Sequence, residues 1–463
     1  MDGAMMDVRR ILASRVVEPL LWNVVKRYPV LEHLAEWRRR QWDSETQFRA
    51  RQTAALGALL AHALARVPHY GESVPDLAPE RALSAPFGAL EAFPILEKRE
   101  ITVHADSLTS KVGRGSYWNR TGGSTGEPVR FVQDRIYQAH ALASTMLFYD
   151  WAGFPRGAGH IKIWGAPRDL GSGRTALRRR VVDWLSNRIS LDAFDMSERT
   201  MSRYVEVISR SRPACLEGYA DALYELAVRI ESLKTPVASP GTIVSSAGTL
   251  LPHMRERIEA AFGARVFDRY GTREVGGIAA ECEKHEGLHV FGETNLVEVV
   301  DAEGRAVGEG EEGEILVTNL HNYTMPLIRY RIGDRAVRGV GRCSCGRPYP
   351  LLARVLGRSE SCVRTPDGGV VLPEFFIHVV GVEFNDGSIA RFQVVQTALD
   401  RITVHIVPAE GARDRALARS DDMRTRIRQM MGDCEVEFTL TDHIDPTPTG
   451  KHMYVVNRMG GGE

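Results

Sequence analysis

The feature that most limits the fold is an alternation running from about Trp118 to Leu356. Short β-rich runs are Ile161-Lys162-Ile163-Trp164, Gly241-Thr242-Ile243-Val244-Ser245 and Ala264-Arg265-Val266-Phe267. They alternate with stretches of helical periodicity at Ala220 to Leu233 and Met254 to Phe262. That order builds helices layered on sheets, because each strand must bury its apolar side chains against a neighbouring layer. Antiparallel signals come later: Leu296 to Val300, the turn Asp301-Ala302-Glu303-Gly304, and the return Glu314 to Thr318.

The flanks differ from this middle. Leu12, Val16, Val17, Leu20, Leu21, Val24 and Val25 recur at helical spacing, as do Leu56, Leu59, Leu60, Ala63, Leu64 and Val67 before Pro68. After Gly357-Arg358 the composition shifts, and Val363 to Val371 reads as a hairpin around Pro366-Asp367-Gly368-Gly369. The predicted fold is α/β. A large multi-subdomain N-terminal domain (1–357) carries layered sheets and helices, and a small mobile α+β C-terminal lid domain follows (358–463).

Composition excludes some classes. Lys+Arg and Asp+Glu both total 59, so no global field attracts nucleic acid. The most apolar run, Ala54 to Ala65, is too short to span a bilayer and contains His62. The start, Met1 to Asp7, lacks the charged-then-apolar plan of a secretion signal. Six cysteines in 463 residues make no disulfide framework. The expected setting is cytoplasmic, with thiols reduced or metal-bound. The sequence fixes no oligomeric state, and a homodimer is compatible with it.

Five motifs carry chemistry. Thr121-Gly122-Gly123-Ser124-Thr125-Gly126 packs three glycines and three hydroxyls into six residues. Glycine lets backbone N–H groups approach an anion closely, and the hydroxyls add donors for phosphate oxygens. Glu127-Pro128 follows, so this is neither a P-loop nor a dinucleotide fingerprint. Asp268-Arg269-Tyr270-Gly271-Thr272-Arg273-Glu274 offers an aromatic for a base, a hydroxyl for a phosphate and a carboxylate for Mg²⁺. The same run is equally consistent with a turn whose glutamate faces water. Asp334 stands just past the β-rich run Leu327 to Ile332, where a carboxylate can accept from two vicinal hydroxyls. Gly357-Arg358-Ser359-Glu360 marks the domain boundary. Pro446-Thr447-Pro448-Thr449-Gly450 is a turn that presents Lys451 as a cation for a phosphoryl or carboxylate oxygen.

In this order the five motifs resemble the adenylate-forming acyl ligases. The match is to the phenylacetate–CoA ligase-like branch, including its capsular-polysaccharide-associated relatives, and covers about Pro94 to Met453. The resemblance implies ATP and Mg²⁺, a small-molecule carboxylic acid as substrate, and CoA as the usual acceptor. Thr121 to Gly126 would wrap the ATP phosphates. Ser246-Ala247-Gly248-Thr249 matches the segment bordering adenine and acyl group. Tyr270 would stack on adenine beside Gly271 and Thr272, and Glu274 would ligate Mg²⁺. Asp334 would hold the ribose, with Arg358 nearby at the hinge. Lys451 would bridge carboxylate and α-phosphate. Two departures stand out: Glu127 where the family has lysine, and Glu360-Ser361 where it has Asp-Asp. Both weigh on CoA as acceptor more than on adenylation.

Cysteines suggest a further site. Cys343 and Cys345 are one residue apart and can chelate one metal, with a distant cysteine and histidine completing a tetrahedral Zn²⁺ site. Cys282 with His289 or His285 could supply the rest, and the resemblance favours His289 through Gly287-Leu288-His289. Cys215, Cys362 and Cys434 are isolated and read as packing residues. The acyl pocket is legible only as segments holding Trp164, Tyr219, Ser246 and Ala247.

The expected function is therefore an ATP-dependent carboxylate-activating ligase that forms an acyl-adenylate and then an acyl-CoA. Two alternatives remain. One keeps adenylation but uses an amine, a carrier-protein thiol or no acceptor; the other is a non-catalytic nucleotide-binding homologue.

Overall fold

The computed structural model describes residues 9–22, 28–110, 115–120, 129–164, 174–193, 198–234, 236–358, 363–366, 370–371, 375–376, 379–445 and 453–459. The chain divides into two compact units. One holds residues 1–122, 128–332 and 336–355; the other holds 123–127, 333–335 and 356–463. Among the described residues no helix is long and apolar enough to cross a membrane.

The first unit begins with helices α1 (Val30–Arg40) and α2 (Glu45–Arg66). Ser44 starts α2 through a capping box: its hydroxyl accepts from Gln47 N, and the Gln47 side chain accepts from Ser44 N. The 3.6-residue spacing then turns Leu56, Leu59, Leu60 and Ala63 onto one buried face, inside a core shared with Phe131, Ile278 and Tyr330. The hairpin β1 (Tyr117–Arg120) and β2 (Arg130–Gln133) follows, then helix α3 (Arg135–Trp151), capped by the Asp134 carboxylate.

The middle of the chain supplies a parallel sheet. Its strands are β3 (His160–Ile163), β4 (Arg188–Leu191), β5 (Cys215–Tyr219), β6 (Thr242–Ser246) and β7 (Val266–Thr272). Helices α4 (Arg174–Leu185), α5 (Glu198–Ser211), α6 (Ala220–Leu233) and α7 (Pro252–Phe262) make the crossovers. Helix α7 starts on Pro252 and stops at Gly263, whose φ of +65° is the left-handed conformation a helix C-terminus favours.

The antiparallel strands continue this sheet rather than forming another. Strand β7 turns back at Arg273–Val275 into β8 (Gly276–Glu281), which pairs with β9 (Leu288–Val290). Then come β10 (Asn295–Val300), β11 (Glu312–Asn319), β12 (Tyr330–Arg338) and β13 (Leu351–Arg358). The eleven-stranded order is β10-β11-β12-β13-β9-β8-β7-β6-β5-β3-β4. The one hairpin β7–β8 carries the sheet from its parallel to its antiparallel half.

The second unit is α+β. Residues β14 (Val363–Arg364) and β15 (Val370–Val371) pair as an antiparallel hairpin; its turn residues 367–369 lie outside the described residues. A four-stranded sheet of order β18-β17-β16-β19 joins β16 (Ile389–Ala398), β17 (Arg401–Pro408), β18 (Glu435–Leu440) and β19 (Val455–Asn457). Helix α8 (Ser420–Met431) buries Met423, Ile427 and Met431 in its core with Val394, Ile402 and Val404.

Candidate active site

The site is organised by the β7–β8 hairpin. A register shift between Tyr270 and Gly271 brings the two strands very close. A Cβ on Gly271 would come within 2.4 Å of the Gly276 carbonyl oxygen, so only glycine fits there. Thr272 Oγ1 accepts from Val275 N at 3.4 Å and closes the turn that holds Glu274. Glu274 does not face water: it is 8% exposed, and Tyr330 donates its hydroxyl to Oε1 at 3.2 Å. Its other oxygen has no protein partner among the described residues. The solvent-facing alternative for this turn is therefore excluded.

The neighbouring elements converge on this turn. Ser246 pairs with Arg269 across β6 and β7, so Ala247 and Gly248 leave β6 beside Tyr270. Ala247 takes φ +57°, and Gly248 packs on Ala220, where an added Cβ would lie 3.4 Å from the alanine Cβ. On the other side, Gln133 at the end of β2 donates through Nε2 to the carbonyls of Arg273 and Glu274, each at 3.0 Å. This ties the β1–β2 hairpin to the carboxylate turn.

Of the sequence-predicted residues, Ala247, Gly248, Tyr270, Gly271, Thr272 and Glu274 thus share adjacent strand ends and one turn. Asp334 is not at a strand end as expected: it lies inside β12 and is buried. Thr121 to Gly126, the Arg358 side chain and Lys451 lie outside the described residues. Trp164 and Tyr219 pack with ring centroids 4.5 Å apart and planes tilted by 55°, and Lys162 Nζ sits 4.1 Å from the Trp164 ring centre. Neither ring lines the cavity beside Glu274. That cavity, of about 220 Å³, lies between α3, the β1–β2 hairpin and the turn at Arg273, Gly276 and Gly277. A larger hollow of about 570 Å³ near His62, Pro68 and Ser110 holds none of the motif residues.

Sequence reasoning missed a charge cluster on the parallel strands. Glu217 on β5 is fully buried and meets Lys162 Nζ at 3.1 Å, Arg269 at 3.0 Å and the Tyr149 hydroxyl at 2.7 Å. Burial alone would raise the Glu217 carboxyl, but Lys162 and Arg269 hold it well below the usual range. The signal was available: a glutamate and a lysine each sit among apolar residues of neighbouring strands, where an unpaired charge would be costly.

A second cluster lies at the antiparallel side. Ligand atoms of Cys282, His289, Cys343 and Cys345 all lie within 4.8 Å of one another. Cys282 Sγ is 3.6 Å from Cys343 Sγ, and Cys345 Sγ is 3.3 Å from His289 Nε2. Each sulfur accepts a backbone N–H from two residues on, at Lys284, Cys345 and Arg347, at 3.4–3.5 Å. Burial, then Arg347, lower the His289 pKa to about 4, so the ring is neutral, the form that binds metal. Burial pushes the Cys282 and Cys343 thiols up, so only a cation would keep them as thiolates. His285 is elsewhere: its Nδ1 meets Glu281 at 3.1 Å and its ring packs on Phe267. The donor set and its N–H···S bonds fit a tetrahedral structural ion.

Comparison with known proteins follows the same line. Residues 363–458 match the family described as CapK C-terminal domain. The chain is 22% identical over 381 residues to Protein CapK of Staphylococcus aureus, covering 80% of each chain. It is 24% identical over 335 residues to a phenylacetate-coenzyme A ligase of Thermus thermophilus, covering 68% of this chain and 71% of the relative. A 2-hydroxyisobutyryl-CoA ligase in its postadenylation state shares the fold, with a TM-score of 0.70, 18% identity and 91% of each chain covered. The resemblance to adenylate-forming ligases of the phenylacetate–CoA ligase and CapK branch, carried in the sequence by five motifs, therefore holds at the level of relatives and fold.

Proposed function

We propose that this relative of CapK and the phenylacetate–CoA ligases is an ATP-dependent ligase that joins a small carboxylic acid to AMP and then passes the acyl group to CoA. The observation that supports it most is the Glu274 turn. A buried carboxylate with one oxygen uncommitted stands beside the strand ends of Ala247, Tyr270 and Thr272. A carboxylate, a hydroxyl, an aromatic ring and a glycine-rich neighbour suit a nucleoside triphosphate better than any other common ligand.

In this reading an oxygen of the substrate carboxylate attacks the α-phosphorus of ATP, and pyrophosphate leaves. Tyr270 flanks the base, Ala247 and Gly248 border it through their backbone, and Asp334 accepts from the ribose hydroxyls. The Tyr330 hydroxyl fixes the Glu274 carboxylate and leaves Oε2 for Mg²⁺, a hard cation that would neutralise phosphate charge when bound. Thr121 to Gly126 cradle the phosphates, and Lys451 neutralises the oxygens that the two anions bring together. Zn²⁺ on the Cys282, His289, Cys343 and Cys345 cluster is structural, since four protein ligands leave no position for substrate.

Carboxylate-dependent ATP–pyrophosphate exchange tests the first step. Exchange without CoA, followed by thioester formation when CoA is added, supports the whole reading. Exchange without thioester formation moves the acceptor to an amine, a carrier-protein thiol or none. Absence of exchange with any acid in a broad panel overturns the ligase reading.

A further inference from the structure

The cavity beside Glu274 has a chemistry that sets the acid, and this inference rests on the ligase reading above. The space of about 220 Å³ is bounded by α3 on one side and by Gly276 and Gly277 on the other. Gly276 takes φ +74°, and a Cβ there would come within 3.1 Å of the Tyr137 hydroxyl. An engineered cavity of about 150 Å³ holds benzene. The space here therefore admits one ring or a short branched chain.

Its lining is not that of an apolar pocket. Tyr137 is only 3% exposed, lines the cavity, and its hydroxyl has no hydrogen-bond partner among the described residues. Burial, with Tyr117 and Glu274 nearby, pushes its pKa well above the ordinary value, so it stays an O–H group. Next to it, Gln138 accepts through its amide oxygen from the Tyr117 hydroxyl. The other end has no partner among the described residues. Tyr117 is anchored in turn by Gln133 at 3.1 Å, and Gln133 also takes Asn119 Nδ2 at 3.0 Å. Gln138 is thus held by a second layer of hydrogen bonds, and its amide nitrogen and the Tyr137 hydroxyl are left open toward the same space.

We propose that this cavity selects a small hydroxylated carboxylic acid, with Tyr137 and Gln138 reading its hydroxyl. A hydroxyl both donates and accepts, so it can pair with the Tyr137 phenol and with the open nitrogen end of the Gln138 amide. An unsubstituted aliphatic or aromatic acyl group would leave the buried Tyr137 hydroxyl without a partner, which costs binding free energy.

The test is pyrophosphate exchange with matched pairs of small acids, one hydroxylated and one lacking only the hydroxyl. The wild-type protein should favour the hydroxylated member by about 100-fold or more in kcat/KM, as sites built around a hydrogen bond do. Tyr137→Phe and Gln138→Leu should each shrink that preference about tenfold while leaving the deoxy acid at least as good a substrate. A best substrate that lacks a hydroxyl, with both variants unchanged, overturns the inference. If no acid supports exchange, calorimetric binding of the same pairs decides. Binding that needs the hydroxyl and is lost in Tyr137→Phe sustains the cavity assignment even as the ligase reading falls. Equal binding of both members, or none, sinks the assignment too.

Discussion

At the scale of single residues, the parallel half of the sheet is governed by one buried carboxylate. Glu217 is ionised because Lys162 and Arg269 stand within hydrogen-bond distance, and its oxygens also reach Tyr149 and His160. Removing the charge strands two cations in a dry interior, and breaking such a pair costs more than the pair contributes. Glu217→Gln is expected to destabilise the protein by about 3 kcal/mol or more, measured by urea unfolding. A change below roughly 1 kcal/mol would mean water reaches Lys162 and Arg269. The residue pattern made the pair findable, because an ionised group inside a β-run has to be answered from a neighbouring strand. The partner could not be chosen from the sequence, since register across β3, β5 and β7 decides it.

At the scale of elements, the Cys/His cluster and a histidine stack make separate demands. The cluster ties the β8–β9 connection to the residues between β12 and β13, segments that are 61 positions apart at Cys282 and Cys343. Loss of one thiolate should therefore loosen both. Cys343→Ser is expected to abolish stoichiometric zinc in purified protein and lower the melting temperature by several degrees. Metal analysis and calorimetry check it, and wild-type protein without zinc would reject the assignment. On α3, the His140 ring lies between His33 and His321, with centroids 4.0 Å and 3.6 Å away. Burial lowers His140 to about 2 and His321 to about 4. Both pKa values lie below the unfolded one, so folding favours the neutral rings. That stability is full above about pH 6.5 and is lost as pH falls, by about 3 kcal/mol for His321 once pH reaches 4. His321→Gln should flatten the decline in unfolding free energy between pH 7 and 4.5. A decline identical to wild type would show that other groups carry it.

At the scale of the whole molecule, the proposed function draws on pieces far apart in the chain. The loop 121–126, the Glu274 turn, Asp334 and Lys451 span most of its length. Lys451→Ala is expected to reduce pyrophosphate exchange by about a thousandfold, as loss of a charge-stabilising group at a transition state does. The melting temperature should be unchanged, and an unaltered exchange rate would remove Lys451 from the chemistry.

The resemblance to the ligases singled out His289 over His285, while the amino-acid order by itself determined the α/β alternation, the helical start, the β14–β15 hairpin and the cysteines that lie together. Those follow from local rules: periodicity, turn residues and ligand spacing. Tertiary structure alone decided that the parallel and antiparallel strands form one sheet, that Glu274 is buried against Tyr330, and that Asp334 lies within a strand. It also decided that the cavity is lined by Tyr137 and Gln138 rather than by Trp164 and Tyr219. Each of these depends on which face a strand or helix turns to a partner distant in sequence, and that choice is made by packing, which no local pattern encodes.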